Sequence, residues 1–111
     1  MICRIWRGWA TPDTASAYES VVREEVIPGI EAMNIAGFQH IDLMRLDHGD
    51  EVEFVTMMWF DDLDSVKRFM GEDYARSHVP EQARAVLARW DERSTHFEVL
   101  DRRPQRRERS S

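Results

Sequence analysis

The chain has 111 residues, 42% of them hydrophobic, enough for one domain with a single core of modest size. Its formal charge of −6 is uneven: residues 1–101 hold ten basic and twenty acidic side chains, whereas 102–111 hold five arginines and one glutamate. An acidic body excludes an extended nucleic-acid-binding face, because phosphate recognition needs a basic patch.

Residues 2–9 read as a strand, and 13–33 as an amphipathic helix with Tyr18, Val21, Val22 and Val26 at helical spacing. Pro28-Gly29 is expected to break or kink that helix. Two strands follow, 37–46 and 52–60, joined by the polar turn Asp47-His48-Gly49-Asp50. Asp61-Asp62 caps a second helix over 62–70, with Gly71 as its stop. A third helix is expected over 80–92 from the stripe Ala83, Val86, Leu87 and Trp90, and a last strand over 95–100. The order is βαββαβ, a ferredoxin-like plait in the α+β class with an antiparallel four-stranded sheet, occupying residues 1–101. The basic stretch 102–111 reads as a disordered tail without an apolar anchor. Truncation after Asp101 should therefore leave the melting temperature within about one or two degrees; a larger loss would mean that the tail packs on the body.

The single cysteine, Cys3, rules out an intrachain disulfide and fits a small core hydrophobe. Arg4 and Arg7 interrupt the N-terminal stretch before an apolar run develops, so no signal peptide is expected. The longest apolar run, 54–60, falls far short of the roughly 20 residues of a bilayer span, which points to a soluble, cytoplasmic protein.

A sheet covered by helices on one face has a second face to account for. Strand alternation separates Cys3 and Ile5 from Arg4 and Trp6, Ile41 and Leu43 from His40 and Asp42, and Phe97 and Val99 from His96 and Glu98. The expectation is an apolar face under the helices and a mixed face carrying Arg4, Trp6, Phe38, His40, Asp42, His96 and Glu98. Aromatic rings interleaved with ionisable groups suit a half-buried ligand cavity. Tyr74 and His78 are expected at its mouth, in a connecting segment, 71–79, long enough to fold over an opening. Exposed apolar residues on that face, Trp6, Phe38 and Met44, point to a homodimer.

Segments 1–8, 56–62, 69–74 and 96–99 resemble the antibiotic biosynthesis monooxygenase domain of the dimeric α/β-barrel superfamily, over about residues 1–100. The resemblance implies the same plait, paired into a homodimer, and a small oxidoreductase. Some members oxidise polycyclic phenols or quinols with molecular oxygen and no bound cofactor, and others bind or degrade haem. The haem-degrading members use a histidine after the second helix, a tryptophan within it and an asparagine in the first strand. Here His78 stands near the first place, but Phe69 and Trp6 occupy the other two, so haem is the alternative cofactor, with His78 as its ligand.

A cofactor-free oxygenase needs an apolar cavity, a base to deprotonate a phenol or enol, and a donor to hold the resulting anion. His96 or His40 is the candidate base and Arg4 the anion holder, with Asp42 or Glu98 placed to orient a histidine. Trp6, Phe38, Trp59, Tyr74 and His78 complete the candidate substrate wall around a small aromatic or polyketide-like ligand. A non-catalytic barrel that binds a planar ligand is the other reading. A shared metal site within one protomer is excluded, leaving only a dimer partner to bring these edges together: three strand spacings of roughly 4.8 Å put His40 and His96 about 14 Å apart, whereas ligands lie about 2 Å from an ion.

Overall fold

The computed structural model describes residues 1–105. Strands β1 (Ile2–Ala10), β2 (Phe38–Asp47) and β3 (Val52–Phe60) form the body of an antiparallel sheet in the order β2-β3-β1. The fourth position is shared by two short strands, β4 (Arg89–Trp90) beside Gly8 and Trp9, and β5 (Thr95–Glu98) beside residues 2–5. The sheet thus has five strands rather than four, within the expected ferredoxin-like α+β plait.

Helices cover one face. The first helical stretch comprises α1 (Ala15–Val21), a π-helical turn (Val22–Val26) and α2 (Ile27–Ala32). Pro28 does not end it: Ile27 N–H reaches back five residues to Val22 O, and this wider turn absorbs the missing proline donor. Helix α3 (Leu63–Met70) is capped by Asp62, whose carboxylate accepts from Ser65 N at 2.9 Å and Ser65 Oγ at 2.8 Å. It stops at Gly71, where φ is +87°.

The third helix is the clearest departure from the sequence reading. Only α4 (Glu81–Arg84) is helical, and Trp90 belongs to a strand. The reason is the free edge of β1, whose backbone groups require partners. Ala88 N–H donates to Trp9 O at 2.7 Å and Asp91 N–H to Arg7 O at 2.9 Å, so the chain is drawn into the sheet before a further helical turn forms.

Two groups of buried side chains fill the space between sheet and helices. Tyr18, Val22, Val52, Phe54 and Ala83 form one, and Ile30, Met58, Phe60, Val66 and Phe69 the other. Residues 101–105 are exposed and without regular structure, Arg103 pairing with Asp101 at 2.8 Å. The remainder of the expected tail lies outside the described residues. No helix of the described residues is long and apolar enough to cross a membrane.

Candidate active site

A cavity opens where the two core groups meet, on the helix-covered face of the sheet. Tyr18 and Val22 line it from one group, and Ile30, Met58 and Phe69 from the other. Its free space is about 40 Å³, room for a few water molecules at roughly 10–15 Å³ each by the same measure. His78, Val79 and Pro80 line the same space.

Arg4 is the exceptional residue of the lining. β1 points it inward opposite Met58, and it is only 3% exposed. Its Nη1 donates to Tyr74 O and lies 3.0 Å from His96 Nε2, while Nη2 donates to Arg76 O at 2.8 Å. The guanidinium carbon sits 5.4 Å from the centroid of the Phe69 ring. Three of the five N–H donors are thus occupied, by two carbonyls and an imidazole. No carboxylate pairs with Arg4 among the described residues, and none lines the cavity. Burial lowers its pKa to about 10, so it remains a cation at neutral pH.

The neighbouring histidines are held neutral. Desolvation, then the charge of Arg4, push His96 down to about 4 and also lower His78. With Arg4 donating to it, His96 Nε2 uses its lone pair as an acceptor, which places the proton on Nδ1. The Tyr74 ring meets the His96 ring edge-on at 5.1 Å, and neither residue lines the cavity. His96 therefore holds Arg4 in place, with its Nε2 unavailable to take a substrate proton. His78 does line the cavity: its ring packs 5.1 Å from that of Phe69, it is exposed at the mouth, and its nitrogens bond to no other described residue.

An imidazole kept neutral down to about pH 4 when folded, but titrating near 6.5 when unfolded, stabilises the fold above 6.5. That stability is lost as the pH falls from 6.5 towards 4. With allowance for partial exposure of the ring, the loss should be about 1–2 kcal/mol. His96→Gln, which retains an acceptor for Arg4, should flatten this part of the profile in urea titrations. An unchanged acid slope would show that the imidazole is not its source.

Trp6 forms the aromatic wall, anchored by Nε1–H donation to Asp91 O at 2.9 Å. Gly8 makes room for its indole, since a β-carbon there would stand 2.6 Å from Trp6 Cη2. Ser77 Oγ also donates to Asp91 O, and Ser94 N–H to Ala75 O at 2.6 Å, tying the cavity-side segment to the chain ahead of β5.

The structure divides the residues expected to share one mixed face. Arg4 and His96 are cross-strand partners on the helix-covered face, and Trp6 lies on that face too. His40 and Asp42 point to the opposite face, where His40 is exposed, stacks on Trp59 at 4.4 Å and lies 3.9 Å from Asp42. A β-bulge between Phe38 and His40 shifts the register by one residue and turns Phe38 inward, 5.4 Å from Phe60. Glu98 is exposed beside Ile2. The cavity thus lies beneath the helices rather than on the open sheet face, and His40, Asp42, Trp59, Phe38 and Glu98 are not among its lining residues.

Two lining residues carry no chemical signal in the sequence. Tyr18 falls within an apolar helical stripe and reads as core, yet it lines the cavity, its hydroxyl makes no hydrogen bond among the described residues, and burial raises its pKa. Ser94 is a lone serine between strands, and its Oγ is buried without a partner among the described residues. The described residues contain no group of three or more His, Cys, Asp or Glu able to hold a metal ion. A haem macrocycle does not fit a space of this size, and His78 packs against the ring of Phe69.

Comparison with solved structures places the fold. SnoaB, a cofactor-independent oxygenase from Streptomyces nogalater, is 16% identical with a TM-score of 0.58, over 94% of this chain and 98% of its own. The monooxygenase of the gene ActVA-Orf6 from Streptomyces coelicolor, in complex with the ligand nanaomycin D, is 10% identical with a TM-score of 0.58, over 95% of this chain and 92% of its own. The chain has an antibiotic biosynthesis monooxygenase-like fold. Rv0793 from Mycobacterium tuberculosis also shares it, at 21% identity and a TM-score of 0.61, over 91% of this chain and 96% of its own. No family model and no curated protein matches the sequence. At these identities the likeness concerns architecture, and the chemistry must come from the cavity.

Proposed function

We propose that this protein is a monooxygenase-like oxidoreductase that oxidises an electron-rich phenol or enol with molecular oxygen, without a bound flavin or metal. The observation that carries the reading is a buried guanidinium with no carboxylate partner among the described residues, in a mostly apolar cavity with an imidazole at its mouth. His78 takes the hydroxyl proton, Arg4 holds the oxyanion, and the electron-rich ring reduces oxygen. Overall, one phenol and one O₂ give one quinone and one water, so a ring C–H is replaced by C=O. The fold shared with a cofactor-independent oxygenase supports this chemistry. An oxygen electrode supplied with chelator-treated protein and a dihydroxynaphthalene should show uptake matched to quinone absorbance. Binding without uptake across a panel of such phenols would favour a non-catalytic ligand-binding barrel.

The same reading includes a homodimer and a cytoplasmic setting. Trp6 and Phe38 are not the apolar residues that call for a partner, since both lie beneath the helices. Their place is taken by the open sheet face, with Met44 42%, Leu46 57% and Phe97 55% exposed beside Trp59, Met57 and Ile5. Pairing two such faces would remove that surface from water. Light scattering should give twice the 13.1 kDa chain mass, and Leu46→Asp with Phe97→Asp should halve it. A 13.1 kDa wild-type species at micromolar concentration would remove the claim.

A further inference from the structure

We infer that Ser94, immediately ahead of β5, is a specificity-determining residue of the cavity: its hydroxyl donates to a second oxygen of the ligand, an ether or carbonyl, and so fixes how the ring lies. The inference rests on the cavity being the ligand site of the proposed function. It depends neither on the oxygen chemistry nor on the charge state of the phenol.

Ser94 is set apart by what its hydroxyl lacks. The residue is 7% exposed and lines the cavity, and its Oγ is the one buried side-chain polar atom without a hydrogen-bond partner among the described residues. Buried hydroxyls nearly always find a partner, because leaving a hydrogen bond unmade in the interior costs more than a made one contributes. The lining is mostly apolar, with Val22, Ile30, Met58, Phe69 and Val79 among its members, so a partner has to come from what occupies the space. Water satisfies such a group in a free protein. A ligand that displaces the water must put an acceptor in its place or lose affinity, and that requirement is a selection rule.

The hydroxyl is carried on backbone tied from both sides. Ser94 N–H donates to Ala75 O at 2.6 Å, and Arg93 before it bridges to Arg76 and pairs with Asp73 at 2.8 Å. Thr95 after it pairs with Ile5 in the sheet. Strand alternation puts Ser94 on the same face as His96, the cross-strand partner of Arg4, so Ser94 stands diagonally across from Arg4. Diagonal neighbours lie roughly 7–8 Å apart in a sheet, and the two side chains can engage two oxygens of one ring. Because the backbone is fixed in advance, little freedom is lost when the hydroxyl takes its acceptor.

The test uses three pairs of near-isosteric probes: ortho-, meta- and para-methoxyphenol, each against the corresponding ethylphenol, in which a methylene replaces the ether oxygen. Binding is measured by calorimetry under argon, in the wild type and in Ser94→Ala. In at least one pair, the affinity ratio of methoxyphenol to ethylphenol should be about three- to tenfold higher in the wild type than in the variant, the scale of one net hydrogen bond. Ser94→Ala should melt no lower than the wild type, since it removes a buried hydroxyl with no protein partner. Three results would each overturn the inference: a ratio that the variant leaves unchanged in all three pairs, an equal loss for both members of every pair, or a melting temperature lower by more than about 4 °C. The last would show that the hydroxyl is bonded within the protein. Phenol binding without oxygen uptake would defeat the oxygenase reading alone, and oxygen uptake with unchanged ratios would defeat this inference alone. No saturable binding of any of the six probes would remove both.

Discussion

His78→Ala should slow oxygen-dependent turnover of a phenol by roughly 10²–10⁴, the usual scale for removal of a general base. The loss should appear in kcat more than in KM, because His78 offers a proton acceptor at the cavity mouth, whereas Arg4 and Trp6 supply the binding surface. His78 is suited to the role by its depressed pKa. It is neutral through the physiological range and carries no other hydrogen bond among the described residues, so its lone pair is open to a substrate. The wild-type rate should fall on the acid side as this imidazole protonates, at a pH below its ordinary value, and the variant should lose that limb. His96→Gln gives the contrast: with Nε2 already engaged by Arg4, its effect should fall on the affinity for anionic ligands. A tenfold or larger kcat loss in His96→Gln, with His78→Ala unaffected, would return the base to the strand and refute the assignment.

The plait was legible because its signals are local and strong. The expected bounds of β3 coincide with the observed Val52–Phe60, and α3 carries both its Asp62 cap and its Gly71 stop. The failures arose where tertiary pairing competed with periodicity. Ala83, Val86, Leu87 and Trp90 satisfy a helical stripe, but the open edge of β1 offers backbone hydrogen bonds to residues 88 and 91, and the edge prevails. Such competition is not written in any window of the local sequence.

The face that carries the cavity is hidden from the sequence for a related reason. In β1, the set Arg4, Trp6, Gly8 and Ala10 looks less apolar than Cys3 and Ile5, so alternation alone favoured the wrong side as the core. The small residues at 8 and 10 are the clue: they give the indole and the helices room to approach. The bulge at Phe38 then separates that ring from His40, although a spacing of two residues normally puts side chains on one face. The chemistry of Arg4, Trp6 and His78 is visible in the sequence and the three meet in the cavity, whereas Tyr18 is marked only by its place in the lining and Ser94 by a buried hydroxyl without a partner among the described residues.

Phe54→Ala should be the most damaging core substitution near the site, costing about 3–5 kcal/mol. Phe54 has no exposed surface, and its ring packs 4.8 Å from the ring of Tyr18, itself 3% exposed. On the far side the Arg45 guanidinium lies 5.7 Å from the Phe54 ring and is held at 3.2 Å by Glu19, so the helix and β2 both press on this one side chain. Removing it leaves a void between the sheet and α1, which the surrounding close-packed core can fill only in part. At the ordinary scale for a domain of this size, the melting temperature should fall by roughly 10–25 °C. The consequence extends to chemistry, because Tyr18 is placed in the cavity by that packing. Below its new melting point the variant should therefore also bind phenolate more weakly. Phe54→Leu, which restores most of the volume, should recover the greater part of both losses; thermal unfolding beside equilibrium binding of a phenol measures the two together. A stability change under 1 kcal/mol for Phe54→Ala would mean that this part of the core is not packed as described.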